Sequence, residues 1–152
     1  MDGVSAAASI IALVTVALQS ASAIHAVLSG IRDGPGQVSQ LILALEGLNG
    51  VLQQLSRLQI LRQDGNREDL SDLENLMGSC VKDIDRFQRM LAKLQHVPAD
   101  KTLGRAWKQV KSILHKEEFR EMRQIIHDYV SRLNLQLNII QRYITELRQL
   151  VI

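Results

Sequence analysis

The stretch that decides the fold lies near the N-terminus, at residues 3–31, and reads GVSAAASIIALVTVALQSASAIHAVLSGI. None of its 29 residues is Asp, Glu, Lys or Arg. Its densest part is residues 4–18, where Ser5, Ser9 and Thr15 are the only residues other than Ala, Val, Ile and Leu. A helix that is apolar on every side must be surrounded by apolar material, which is either the interior of a helical bundle or lipid.

Two common classes of hydrophobic segment fit this stretch poorly. A secretory signal peptide begins with positive charge, whereas the charge here is Asp2, although Ala21-Ser22-Ala23 resembles a cleavage site. A permanent transmembrane helix needs about 20 apolar residues, and the dense run has 15 before Gln19 interrupts it. We therefore predict that the stretch is a buried core helix in the resting protein.

The whole chain, residues 1–152, has the size of one domain. A single cysteine, Cys80, excludes an internal disulfide and fits a reducing compartment. The net charge of +2 is too small to indicate a partner by itself. Apolar spacing is still in phase at Ile152, so we expect this domain to be the N-terminal part of a longer protein.

Apolar residues recur at spacings of three and four along four long segments, which predicts an all-α, up-and-down four-helix bundle. The first helix should end near Ser29, and the second should cover residues 37–62. The third follows a cap at Asn66 and carries an apolar stripe from Leu70 to Leu94, and the last should run from about Glu117 to the end. An extra short helix is expected at residues 103–114. The predicted core positions are Ile10, Val14 (or Leu13), Ala17, Ala21, Ile24, Leu28, Ile31, Val38, Leu41, Leu45, Leu48, Leu52, Leu55, Leu70, Leu73, Met77, Cys80, Ile84, Phe87, Leu91, Leu94, Phe119, Met122, Ile126, Tyr129, Leu133, Leu137, Ile140, Ile144, Leu147 and Val151.

Two glycines interrupt the second helix. Gly47 and Gly50 each weaken a helix by roughly 1 kcal/mol relative to Ala, and we interpret them as positions where a neighbouring helix approaches closely. They follow no strand and open no helix, so they do not form a phosphate-binding loop.

Residues that could carry chemistry are scattered. Asp83 and Asp85 lie two apart on a helix and point in different directions, which is poor geometry for paired carboxylates. Cys80 falls on the apolar seam of the third helix, which predicts a buried and inert thiol. The four histidines lack metal-ligand spacing and are His25, His96, His115 and His127. The sequence therefore predicts no catalytic, cofactor or metal site and a protein that is not an enzyme.

The short helix carries a face of one charge, with no acid between Lys101 and Lys116. An ordinary solvated face explains it, and so does contact with anionic lipid, to which each basic residue contributes about 1 kcal/mol. Nucleic-acid binding is not expected, because most of the five aromatic residues lie on apolar stripes rather than beside these charges. The candidate lipid-contact residues are Lys101, Arg105, Lys108, Lys111 and Lys116.

Three features together resemble a known family. They are the opening MDGVSAAASIIALVTVALQSASAI, the Leu-rich second helix, and residues 104–140, GRAWKQVKSILHKEEFREMRQIIHDYVSRLNLQLNII. The chain resembles the HeLo-like N-terminal domain of fungal STAND receptors, which carry a NACHT module and repeats further on. That domain is similar in architecture to the four-helix bundle of the mixed-lineage kinase-like pseudokinase.

The resemblance implies an executioner of regulated cell death in fungal innate immunity and heterokaryon incompatibility. It implies a cytoplasmic domain that homo-oligomerises on activation by a NACHT-type module in cis, moves to the plasma membrane, binds anionic lipids and disrupts the bilayer. It implies no cofactor, no nucleic acid and no small-molecule substrate. The alternative is a non-lytic oligomerisation or adaptor domain for protein–protein signalling. The residues to which the resemblance assigns membrane insertion are Val4, Ile10, Ile11, Leu13, Val14, Val16 and Leu18.

Overall fold

The computed structural model describes residues 6–30, 36–58, 69–92 and 116–150. Within these ranges there are four α-helices and no strands: α1 (Ala6–Ser29), α2 (Gly36–Ser56), α3 (Asp69–Ala92) and α4 (Lys116–Leu150). The predicted all-α four-helix bundle is therefore confirmed. The predicted short helix at residues 103–114 lies outside the described residues.

The core contains the side chains that periodicity selects. Every predicted core position from Ile10 to Ile140 that the structure describes is buried, and on α1 the buried alternative is Val14 rather than Leu13. Ile144 is partly buried at the edge of the same cluster. The structure adds Ala7, Ala44 and Val51 to the core. The predicted positions Ile31, Leu94 and Val151, and the side chain of Leu147, lie outside the description.

The four helices do not all contact one another equally. The main contacts join α1 to both α2 and α3 and join α2 to α4, whereas α3 and α4 share a smaller contact. The Arg123 guanidinium donates a hydrogen bond to the Gln40 side chain 83 residues earlier. Gly47 faces the Val130 side chain at the same separation in sequence. Because two contacts keep one offset, α2 and α4 are neighbours that run in the same direction.

The second helix ends earlier than predicted. α2 stops at Ser56, and residues 57 and 58 are not helical. The backbone N–H groups of Arg57 and Leu58 bond to carbonyls three residues back, each at 3.2 Å, which tightens the last turn. The Ser56 hydroxyl also donates to the Gln53 carbonyl at 2.7 Å, competing with continued helix.

The interpretation of the two α2 glycines was wrong. Among the described residues, a Cβ at Gly50 would meet nothing within 4 Å, and one at Gly47 would meet only the Val130 Cγ2 at 4.0 Å, which is ordinary contact. Neither glycine is therefore needed for close approach of a helix. Both are exposed, and both weaken α2 without a packing benefit.

Candidate functional site

Among the described helices, α2 and α3 contact α1 and cover it on one side. One face is buried, whereas only 33% of its most apolar 18-residue window is buried overall. The expectation that an apolar helix must be enclosed on every side was therefore too strict. Its buried face consists of Ala7, Ile10, Val14, Ala17, Ala21, Ile24 and Leu28.

The candidate insertion residues divide into three groups around α1. Ile10 and Val14 are fully buried in the core. Ile11, Leu13 and Leu18 are partly buried and pack against its edge. Val16 is 44% exposed. Val4 lies outside the described residues. The helix thus presents some of these side chains to the core and one to solvent, so they do not form one continuous face.

The outer face of α1 stays uncharged because its residues are small or neutral rather than large and apolar. Ala8, Ala12 and Ala26 are exposed with Thr15, Val16, Gln19 and Ser22. The Thr15 hydroxyl donates to the Ile11 carbonyl at 2.9 Å, so this polar group is satisfied inside its own helix. Small side chains leave little apolar area in water while keeping the helix free of charge.

One polar link joins α1 to α2. The His25 Nε2 lies 3.1 Å from the Glu46 Oε1, and the His25 Nδ1 lies 3.3 Å from the Ser29 hydroxyl. The two side chains are 32% and 54% exposed. A polar contact between side chains this exposed contributes roughly 0–1 kcal/mol. The link orients α1 on α2 but holds it only weakly.

A polar atom on α2 is buried without a partner. The Asn49 Oδ1 has no hydrogen bond within the described part of the chain. Asn49 lies three residues after Glu46 and therefore on the side of α2 that meets α1. An unsatisfied buried acceptor costs about 1–3 kcal/mol. Exposing this side of α2 to water would remove that cost.

A second group of polar side chains lies between α3 and α4. The Tyr129 hydroxyl donates to the Asp83 Oδ2 at 2.5 Å, and Asp83 also lies 3.7 Å from Arg86. Burial raises the pKa of the Tyr129 hydroxyl, and the hydrogen bond to Asp83 raises it further. Burial, aided by the Asp83 charge, raises the pKa of the Cys80 thiol to about 12. At neutral pH both groups keep their protons, so the prediction of a buried Cys80 is confirmed and its thiol is unreactive.

The remaining predicted features are separate from these groups. Asp85 pairs with Arg89 at 2.9 Å rather than with Asp83, so the two aspartates do point apart. Among residues 6–30, 36–58, 69–92 and 116–150, no group of three or more His, Cys, Asp or Glu could hold a metal ion. An open groove of about 710 Å³ is lined on the described side by α4 residues, among them Leu135, Ile139 and Glu146.

The basic face lies almost wholly outside the description. Lys101, Arg105, Lys108 and Lys111 precede the described part of this region, and Lys116 is the first residue of α4 with its side chain undescribed. The assignment of these residues to anionic lipid stays a prediction.

Length and composition distinguish α1 from the other described helices. Within the described ranges it is the helix long and apolar enough to cross a membrane. Its 24 residues span about 36 Å at 1.5 Å per residue, against about 30 Å of hydrocarbon. A core helix and a signal sequence meet the same criteria, so this property alone assigns no function.

Comparison with known proteins gives one match. The family model described as "Pigment biosynthesis cluster protein PigL N-terminal" matches residues 1–150. No curated protein matches the chain, and no solved structure does.

Proposed function

The chain belongs to the PigL N-terminal family, a domain typical of fungal proteins, and from that premise we propose that it is a membrane-targeting cell-death domain. In this proposal it is the HeLo-like module of a fungal NLR-like receptor. Clustering by a NACHT-type module in cis drives the domain from the cytoplasm to the plasma membrane. There it oligomerises and disrupts the bilayer through α1, and the role involves no catalysis.

The observation that carries the proposal is a helix without Asp, Glu, Lys or Arg that the other described helices cover on only one side. A surface helix of a soluble bundle normally carries charged residues on its outer face. The outer face of α1 carries none, and the Thr15 hydroxyl is satisfied internally. Such a helix can exchange its contacts with α2 and α3 for contacts with lipid without burying a charge.

The free energy needed to release α1 from the bundle can be estimated from its buried side chains. Its larger buried side chains are Ile10, Val14, Ile24 and Leu28, and the rest of its buried face is alanine. At about 1.5–3 kcal/mol each, these four side chains hold α1 by roughly 6–12 kcal/mol. Burial of the same side chains in lipid and contacts between clustered copies would offset that cost. A lone copy in water has neither, which explains why clustering would be the trigger.

Two polar features at the contact between α1 and α2 are consistent with the release of α1. The His25–Glu46 link contributes little because both side chains are partly exposed. The unpaired Asn49 oxygen disfavours the packed state and would regain water once α1 departs. The link therefore adds little to the free energy needed to release α1, and the Asn49 oxygen lowers that free energy.

The proposal is tested by dye release from vesicles. The purified chain is added to vesicles of phosphatidylcholine alone and to vesicles that also contain phosphatidylserine, with artificial clustering through a fused dimeriser. We expect release that requires anionic lipid and is enhanced by clustering. Replacing Arg105 and Lys108 by Gln should weaken vesicle binding by about 1 kcal/mol for each residue. A clustered, folded chain that releases no dye from either vesicle would instead support the adaptor alternative.

A further inference from the structure

The contacts that hold α1 form a long apolar groove, which we call the α1 groove. Among the described helices, the main contacts of α1 are with α2 and α3, which form this groove. The buried face of α1 runs from Ala7 to Leu28, about 30 Å at 1.5 Å per residue. The α1 groove is therefore a site for an apolar helix, and the helix that occupies it belongs to the same chain.

The α1 groove also favours one direction of the helix inside it. The His25 Nε2 of α1 lies 3.1 Å from the Glu46 Oε1 of α2. His25 lies four residues before the end of α1 at Ser29, so a helix inserted in reverse would carry this side chain to the opposite end of the groove. The His25–Glu46 contact therefore marks correct insertion of α1.

Every copy of the chain carries the same helix and the same groove. If two copies exchange α1, each groove receives the buried face that it held before, and the His25–Glu46 contact is remade between copies. Each bundle keeps its helices in their places, so the exchange needs no surface beyond the groove that α1 already fills. α1 and α2 are joined by residues 30–35. Six residues can reach about 20 Å, about twice the usual distance between packed helix axes.

We propose that two copies of this chain exchange α1, each inserting it into the α1 groove of the other, to form a twofold-symmetric dimer. The inference rests on the release of α1 that the proposed membrane function also requires, but it involves no lipid. Release into water exposes the buried face of α1, whereas exchange covers that face again. The swapped dimer is therefore favoured over two open chains.

Clustering determines which groove a released α1 enters. A copy held nearby offers a second α1 groove at high local concentration, so exchange competes with return of the helix to its own groove. The swapped dimer then holds two copies together while both α1 helices are covered by protein. A second copy of the chain is thus the partner of released α1 when no membrane is present.

Crosslinking between copies in solution tests the exchange. One variant carries His25→Cys and the other Glu46→Cys, both in a Cys80→Ala background, so each copy has one thiol. A fused heterodimerising pair holds one copy of each variant together in buffer without vesicles. In the swapped dimer one groove contains both thiols, and the other contains the native His25 and Glu46. In unexchanged copies the two thiols lie in different bundles, so a short bis-maleimide joins them only by collision.

A control pair measures collision, with Arg142→Cys in place of Glu46→Cys. Arg142 is exposed on α4. On the shared register of α2 and α4 it lies about 20 Å further along the bundle than Glu46. Circular dichroism confirms that each variant is folded. We expect at least about tenfold more crosslinked dimer from the His25→Cys and Glu46→Cys pair than from the control pair. Equal yields overturn the proposal.

A second measurement uses the parent chain without added thiols. The chain is clustered through a dimeriser that a protease then removes, and the products are separated by size-exclusion chromatography. The swapped dimer should persist after cleavage, because both α1 helices must leave their grooves before the copies part. Separation into monomers as fast as the dimeriser is removed overturns the proposal. Dye release from vesicles separates the two proposals: exchange without release contradicts the membrane function alone, and release without exchange contradicts the exchange alone.

Discussion

A charge placed at Val16 should separate folding from membrane insertion. Val16 is 44% exposed on α1, whereas Val14, two residues earlier, is 1% exposed. Residues two apart point to different sides of a helix, so the same substitution meets water at one position and the core at the other. Both belong to the candidate insertion set, which makes them a matched pair.

The expected magnitudes differ for the two positions. Val16→Asp should lower the free energy of unfolding by about 1 kcal/mol or less, from helix propensity alone. For a chain of this size that is a fall of roughly 2–4 °C in Tm. Val14→Asp buries an unpaired charge and should cost about 3 kcal/mol or more, enough to unfold much of the protein.

Val16→Asp should disfavour membrane insertion strongly, although it hardly destabilises the folded bundle. An Asp within a membrane helix costs about 2.5–3.5 kcal/mol, which is a factor of about 100 in the insertion equilibrium. Folded Val16→Asp should therefore lose dye release from vesicles containing phosphatidylserine. Val16→Thr, similar in shape and uncharged, should retain most of it. If Val16→Asp is folded and releases dye as the parent does, α1 does not enter lipid and the reasoning is refuted.

Four further predictions concern the bundle itself. Gly50→Ala should raise the free energy of unfolding by about 0.5–1 kcal/mol in urea titration, because the added methyl meets no described residue within 4 Å; a destabilised variant would contradict this reasoning. Asn49→Leu, close in shape, should raise Tm and slow dye release by removing the unpaired buried oxygen, and an unchanged Tm would remove Asn49 from the account. Tyr129→Phe should cost about 0.5–1.5 kcal/mol by deleting the bond to Asp83, and a neutral result would mean that this bond gives no net stability. The Cys80 thiol titrates near 9.0 when exposed and near 12 when folded, so its contribution to stability is full below pH 9 and is lost as pH rises from 9 toward 12. Urea midpoints should fall more steeply over that range in the parent than in Cys80→Ala, and equal slopes would contradict the pKa shift.

Periodicity was sufficient to predict the four described helices and their buried faces. Leu70, Leu73, Met77 and Ile84 are core residues because spacings of three and four put them on one side of α3, whichever neighbour covers that side. The end of α2 was placed too late because the Ser56 hydroxyl bond that competes with the helix has no signature in apolar spacing.

The apolar spacing of the sequence could not predict how the helices contact one another. The spacing that buries Val14 does not say that α1 is covered on one side only, so the exposure of Val16 came from the structure. The His25–Glu46 and Asp83–Tyr129 contacts join residues 21 and 46 apart in the chain, and no local signal pairs them. Gly47 and Gly50 were misread because a glycine that permits close packing and a glycine with empty space beside it look identical in sequence.

The central claim is that α1 must leave α2 to act on a membrane, and a reversible crosslink tests it most directly. His25→Cys and Glu46→Cys place thiols on α1 and α2 at positions whose native side chains meet at 3.1 Å, in a Cys80→Ala background. A short bis-maleimide with an internal disulfide joins them, and a reducing agent later cleaves the spacer. The account predicts that the crosslinked protein releases no dye from vesicles containing phosphatidylserine and that reduction restores release. Equal release before and after cleavage would contradict it.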